Sequence, residues 1–228
     1  MTLTVSVIIP ALNEQDGIAA AVRSVAAQGA DEVIVVDGGS TDATVQMAAE
    51  AGAIVLPADK PGRAAQQNQG AAAAQGDVLL FLHADNRLHD AGVEAVRTRM
   101  VNDAWQWGCF QQRIEADGLR YRMLEAGNGW RARILRFPYG DQAIFVRREV
   151  FADVGRFADV RFMEDVLLSR LLRRRSRMAY LKGPVYVSPR RWQKRGVVFQ
   201  TLLNWCLLTA AAVGVSPDQL ARFYPHDR

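Results

Sequence analysis

Four times in its first hundred residues the chain alternates a short β-branched run with a stretch of helical character. The runs are "TVSVIIP" (4–10), "EVIVVD" (32–37), "AIVLP" (53–57) and "VLLFLHAD" (78–85). Their near-continuous apolarity fits strands covered on both faces, as in a parallel sheet. Between the first two, residues 14–28 carry Ile18, Val22 and Val25 at helical spacing. In "GGSTDATVQMAAEAG", Ser40 and Thr41 are candidate caps and Gly52 a candidate stop. "GRAAQQNQGAAAAQGD" (62–77) is Ala-rich and helical, and a further helix is expected over 90–101. Such alternation is the signature of an open α/β sheet, mostly parallel and flanked by helices.

Ligands of these sheets bind beyond the carboxyl ends of the strands. Polar clusters stand at those ends: Asn13 and Glu14 after the first run, Asp37 to Asp42 after the second, Asp85 after the fourth. Each alone reads as a solvated loop; three on one edge read as a site.

Beyond residue 103 the pattern changes. "WQWGCFQQRIE" (105–115) reads as an antiparallel or edge strand, 118–136 as a helix, and "QAIFVRR" (142–148) as a strand. "EDVLLSRLLRRR" (164–175) is an amphipathic helix with Val166, Leu167, Leu171 and Leu172 inward; "MAYL" and "VYVS" are two short strands. No Pro-, Gly- or Ser-rich linker divides the chain, so its 228 residues are expected to form one domain. Within it, 1–102 is expected to be a nucleotide-type half, 103–192 a half of mixed strands and helices, and 193–228 an apolar helix with a tail.

Half of the residues are hydrophobic, enough for a full core. Cys109 and Cys206 lie far apart and outside any CxxC, which speaks for a reducing, cytoplasmic setting. No basic, apolar leader opens the chain. The net charge of +4 is unevenly placed: from Val166 to Pro217 there is no Asp or Glu, against ten Lys and Arg. Phosphate, anionic lipid or a plain solvated helix face would each suit that run. Nucleic acid is not expected, since no aromatic-basic motif accompanies it.

Five stretches carry chemistry. In "VDGGSTDAT", Asp37 at a strand end precedes two glycines that allow a tight turn; neither GxGxxG nor a P-loop is present. "LHAD" ends a run with His83 and Asp85, which share one face if the strand stays extended, so both could ligate a divalent ion. A half-buried strand histidine is the plainer reading of His83. "MEDV" sets Glu164 and Asp165 at a helix start, as dipole partners or as a general base. Asp141 in "GDQAIF" is a further acid, and Arg63 in "PGRAAQQNQG" a cation at a helix start, where phosphate could meet it.

Taken together, "VSVIIPALNE", "VIVVDGGSTDAT", "GRAAQQNQGAAAAQGDVLLFLHAD", "GDQAIFVRR" and "MEDVLLSRLLRR" resemble glycosyltransferase family 2, from Val5 to about Trp192. Within the family they look most like the bacterial radical-SAM/selenodomain-associated transferase 2 subgroup, a name that implies no chemistry. The resemblance implies a GT-A fold and an inverting transfer from a nucleotide-diphosphate sugar, a UDP-sugar foremost, to a hydroxyl acceptor. It implies a nucleoside pocket lined by Pro10, Ala11, Asn13 and Glu14, with Asp37 on the base and Gly39 and Ser40 nearby. It also implies Arg63, Arg190 and Arg191 beside the diphosphate, Asp85 on Mn2+ or Mg2+, Asp165 as base with Glu164 beside it, and Asp141 facing the acceptor or supporting the loop. His83 departs from the first acid of the family's DxD pattern.

"RRWQKRGVVFQTLLNWCLLTAAAVGV" (190–215) is basic, then apolar from Val197 to Val215. A core helix, a homodimer helix and an interfacial helix on the inner face of the cell membrane through 193–215, suited to a lipid-linked acceptor, all fit. A nucleotidyltransferase is the rival enzyme, but the place of its LxxGxGxR-type loop holds "PALNEQDG". A non-catalytic nucleotide-sugar binder is the third reading.

Overall fold

The computed structural model describes residues 2–223. The first half runs β1 (Val5–Ala11), α1 (Ile18–Ala26), β2 (Glu32–Asp37), α2 (Thr44–Glu50), β3 (Ile54–Pro57), α3 (Arg63–Ala73), β4 (Val78–Phe81), β5 (Asn86–Leu88) and α4 (Gly92–Met100). The second half runs β6 (Trp105–Ile114), α5 (Leu119–Trp130), a π turn (Arg131–Leu135), a 3-10 turn (Gly140–Gln142), β7 (Phe145–Arg147), α6 (Arg148–Asp153), α7 (Glu164–Arg175), β8 (Arg177–Val187), α8 (Arg190–Arg195), α9 (Val197–Ala212) and α10 (Pro217–Leu220).

One eight-stranded sheet, ordered β3-β2-β1-β4-β7-β6-β8-β5, runs through both halves. β3, β2, β1 and β4 are parallel, as continuous apolarity requires; β7 runs antiparallel to β4 and β6, while β6 and β8 pair in parallel. All seven residues of β1 are buried. Val5, Val7 and Ile9 point into one core layer and Ile8 into the other. Helix α1 turns Ile18, Ala21, Val22 and Val25 onto the first layer. Gly70 lets α3 lie close on the second: a Cβ there would come within 2.6 Å of Ile8 Cγ2.

Gly108 sits where β6 meets β7 and β8. A methyl group there would lie 2.4 Å from the Ala179 carbonyl oxygen and 2.4 Å from Phe145 Cζ. Backbone cannot step aside as a side chain can. Gly108→Ala is therefore expected to destabilise the fold by about 1–3 kcal/mol or more, read as a lower urea midpoint at unchanged slope.

Several expectations are corrected. The fourth run stops being a strand at Phe81, so His83 and Asp85 do not share a strand face; the chain turns at 84–85 and re-enters the sheet as β5. The two short strands expected near the end form one, β8, whose ladder with β6 skips Lys182 and Gly183 at a bulge and resumes at Pro184. The strand expected over 142–148 shrinks to β7, because Gly140–Gln142 is a 3-10 turn and Ala143 is left-handed at φ 47°. The helix expected over 118–136 changes to a π turn at Arg131. Helices α6 and α8, six residues each, are too short to carry an apolar period that the sequence alone would reveal. Helix α7 buries Leu168, Ser169 and Leu172, while Leu171 is exposed. Ser40 and Thr41 do not cap α2; Asp42 Oδ1 takes the Thr44 N–H instead, at 3.0 Å.

Candidate active site

The ends of β1 and β2 stand side by side, Ala11 opposite Asp37. Beyond them two loops are stitched together. Asn13, left-handed at φ 50°, accepts the Thr41 N–H at 2.9 Å and donates its own N–H to Ser40 Oγ at 2.9 Å. Asp37 accepts the N–H groups of Gly39 and Ser40, both at 3.0 Å, and the Ser40 hydroxyl. Gly39 has φ 95°, a conformation that glycine adopts at no steric cost. Gln66, from α3, reaches under both loops and donates to the carbonyls of Ala11 and Val36, each at 2.8 Å. Pro10 and Ala11 are strand residues, buried beneath this rim.

Next along the edge, Arg190 of α8 joins the rim to β4's end. Its guanidinium donates to Glu14 Oε2 at 2.7 Å and to Asp85 Oδ2 at 3.3 Å. The hydrogen bond to Glu14 is the main reason that Arg190 holds its proton even more firmly than usual.

A pocket opens beside Asp85, lined by Arg63, His83, Asp141, Asp165 and Arg191 among others. Asp165 is delivered by the start of α7, after Met163 turns the chain at φ 64°. It accepts N–H groups from Gly140 and, at 2.7 Å, from Val166. Gly140 is closely flanked: a Cβ there would stand 3.0 Å from His83 Nε2 and 3.1 Å from Asp165 Oδ2, so both side chains would have to give way by a few tenths of an ångström. Burial, then the neighbouring Glu164 charge, pushes the Asp165 carboxyl above the usual carboxylate range, against the pull of Arg63. Glu164 is itself buried and paired with Arg63 at the tip of α3, so the ion pair spans the two halves of the chain.

Asp141 is also pushed up, chiefly by burial. Gln112 donates to its Oδ2 at 2.9 Å; its Oδ1 is buried and, among the described residues, accepts no hydrogen bond. Asn128 fixes Gln112 in turn, at 2.7 Å. Arg131, at the head of the π turn, lies 3.3 Å over the Tyr139 ring and donates to Gln142. Sequence reasoning missed Gln66, Gln112, Asn128 and Tyr139. Gln112 had a signal: it shares the buried face of β6 with Phe110 and Ile114 at period two.

Thus Arg63, His83, Asp141, Asp165 and Arg191 come together in one pocket. Asp37 and Asp85 do not line it. Asp85 adjoins it, near enough that its charge is felt at Asp141. Asp37 stands further along the rim, tied to its own turn. Among the described residues no three His, Cys, Asp or Glu side chains form a ready metal cage. Hard carboxylate oxygens such as those of Asp85 fit Mg2+ or Mn2+ only when substrate phosphates and water complete the shell.

Known proteins share this architecture. The chain is 27% identical to a mycobacterial protein of known crystal structure, with a TM-score of 0.61 over 82% of this chain and 65% of that one. S. aureus TarS in complex with UDP-GlcNAc superposes with a TM-score of 0.67 at 20% identity, over 82% of this chain and 58% of that one. M. tuberculosis glucosyl-3-phosphoglycerate synthase in complex with Mn2+, UDP and glucosyl-3-phosphoglycerate gives 0.60 at 23% identity, over 80% and 70%. The α/β fold is that of these GT-A proteins. In sequence, 93 residues are 37% identical to glucosyl-3-phosphoglycerate synthase of Mycolicibacterium paratuberculosis, spanning 36% of this chain and 28% of that relative. A stretch of 117 residues is 38% identical to an uncharacterised glycosyltransferase of Mycobacterium tuberculosis, spanning 46% and 45%. The chain thus matches less than half the length of either curated relative. The profile of glycosyl transferase family 2 covers residues 6–197, which include the strand edge and the polar floor of the pocket but not its lining from α9, and the chain belongs to that family.

Proposed function

We propose that this glycosyltransferase moves a sugar, with inversion, from a nucleotide-diphosphate sugar to a hydroxyl acceptor. UDP-sugars are the leading donors, because the solved relatives carry UDP or UDP-GlcNAc. The observation that carries the reading is Asp165: a carboxylate raised toward the range of a useful base, held by two N–H groups in a walled pocket.

In this reading residues 1–102 bind the donor and 103–192 the acceptor. Pro10, Ala11, Asn13, Glu14, Asp37, Gly39 and Ser40 hold the nucleoside. Arg63, Arg190 and Arg191 face the diphosphate. Asp165 takes the acceptor's proton while that oxygen bonds to the anomeric carbon. The bond from that carbon to the diphosphate breaks, its electron pair leaving with the diphosphate, so one in-line displacement inverts the centre. Glu164 holds Arg63 in place, and Asp141, set by Gln112, meets the acceptor with its Oδ1. Asp85, with His83 near, would hold Mn2+ or Mg2+, which supplies positive charge against the leaving diphosphate. The setting is cytoplasmic, with a lipid-linked acceptor and peripheral contact with the membrane's inner face through 193–215.

A melting-temperature screen of UDP-, GDP-, CDP- and dTDP-sugars, with and without Mn2+, tests the donor side. At a hundredfold excess over Kd, binding adds about 2.7 kcal/mol, a rise on the order of 5–10 °C for a chain of this size. UDP-sugars with Mn2+ are expected to give the largest rise; no response to any of them refutes the reading.

A further inference from the structure

The pocket has two characters. Asp141, Asp165, His83 and Arg63 are its polar floor, whereas Leu124, Phe162, Val166, Trp205 and Leu208 make apolar walls. Trp205 and Leu208 come from α9, which has no charged residue in sixteen positions. Nor does α9 hide its apolar side: Val198, Phe199, Leu202 and Trp205 are 72%, 59%, 56% and 65% exposed. Val198, Leu202 and Trp205 follow one another at i, i+4 and i+7, so they form a single stripe with Phe199 beside it. Trp205 belongs both to that stripe and to the pocket lining. A second line of exposed Leu119, Met123 and Trp130 runs along α5, the helix that brings Leu124 to the pocket.

Charge identifies what covers the stripe. Lys194 and Arg195 close α8 immediately before α9, and no acid occurs from Val166 to Pro217, whereas Arg190 and Arg191 are turned to the site. A second copy docked through the same face would oppose like charges, because a two-fold interface sets a patch against itself. An anionic lipid surface complements them. At about 1.5 Å per residue, α9 is roughly 24 Å long, shorter than the ~30 Å bilayer core. Among the described residues no helix is long and apolar enough to cross a membrane.

We propose that α9 lies in the interface of an anionic bilayer and that the acceptor is an amphiphile drawn from it. Its hydroxyl reaches Asp165, and its apolar chain leaves the pocket past Leu208 and Trp205 into the lipid. The role of the hydroxyl rests on the transferase reading; the membrane seat does not.

Co-sedimentation of the full chain with vesicles of phosphatidylcholine, alone or mixed with phosphatidylglycerol, tests the seat. The mixed vesicles are expected to bind at least tenfold more protein, and high salt to release it. The doubly substituted F199S/L202S chain, altered only at exposed positions away from the pocket, should lose tenfold or more while keeping its circular dichroism and its response to nucleotide sugars. Equal binding to both vesicles, or undiminished binding by the substituted chain, overturns the seat. So does a dimer in sedimentation velocity that the same substitutions dissociate without any vesicle binding. Dodecyl maltoside below its micelle concentration should raise the melting temperature where maltose does not; equal effects overturn the amphiphile. Vesicle binding without any nucleotide-sugar response would sink the transferase reading and leave the seat, and the reverse result would do the opposite.

Discussion

Replacing Asp165 by Asn lowers turnover by about 10²–10⁴-fold, the contribution of a positioned general base, and leaves the nucleotide-sugar melting shift intact. The amide keeps the shape and one of the two acceptor oxygens; Gly140 and Val166 donate to different oxygens of the carboxylate, so one of these N–H groups loses its acceptor. What disappears is the capacity to take a proton. Release of nucleoside diphosphate from UDP-glucose, followed across pH, is the measurement. The parent's acid limb should lie above the ordinary aspartate value of about 3.9, since burial and Glu164 raise this carboxyl. D165N should show no such limb, and near-normal turnover would refute the assignment. A carboxyl raised by folding stabilises the native state below its unfolded pKa and loses that contribution as pH rises through the folded value. Near neutral pH, D165N gains by losing the buried charge and loses one N–H acceptor, so its Tm is expected to stay close to the parent's.

Arg63→Met has the second large effect, and it is first an effect on folding. Glu164 is 2% exposed and Arg63 25% exposed where they pair. Removing the cation leaves a buried carboxylate uncompensated, which typically costs about 3–5 kcal/mol. For a chain of this size that is on the order of 10 °C in Tm. The substitution also removes the charge that draws Asp165 downward, so the acid limb of any remaining activity should shift to higher pH. R63M/E164L, which takes away both charges, should recover much of the lost stability; a single variant as stable as the parent would show the pair to be energetically idle.

The parallel half of the sheet was legible because β1, β2 and β4 are buried on both faces and say so in unbroken apolar runs. Long-range pairing left no comparable trace. Nothing local in "MAYL" or "VYVS" tells that β6 holds them in one ladder, or that Phe81 is the last residue of its strand. Motifs located Asp141, Asp165 and Arg63, and the pocket gathers them. The polar residues that orient them are ordinary glutamines and asparagines, given meaning only by contact: Gln66 under two carbonyls, Gln112 against Asp141. Helix α9 shows the limit of hydropathy, which measures how apolar a segment is without saying which side it turns outward.

The bridge that Arg190 makes between Glu14 and Asp85 bears on how this rim meets a cation from outside. Two carboxylates from distant parts of the chain already share one fixed positive partner. If Asp85 holds a dication as proposed, an ion on its Oδ2 would compete with that guanidinium, so its grip would be a difference between two attractions. Six residues of α8, through the ease with which they swing aside, would set how tightly the metal is held as much as the acids themselves do.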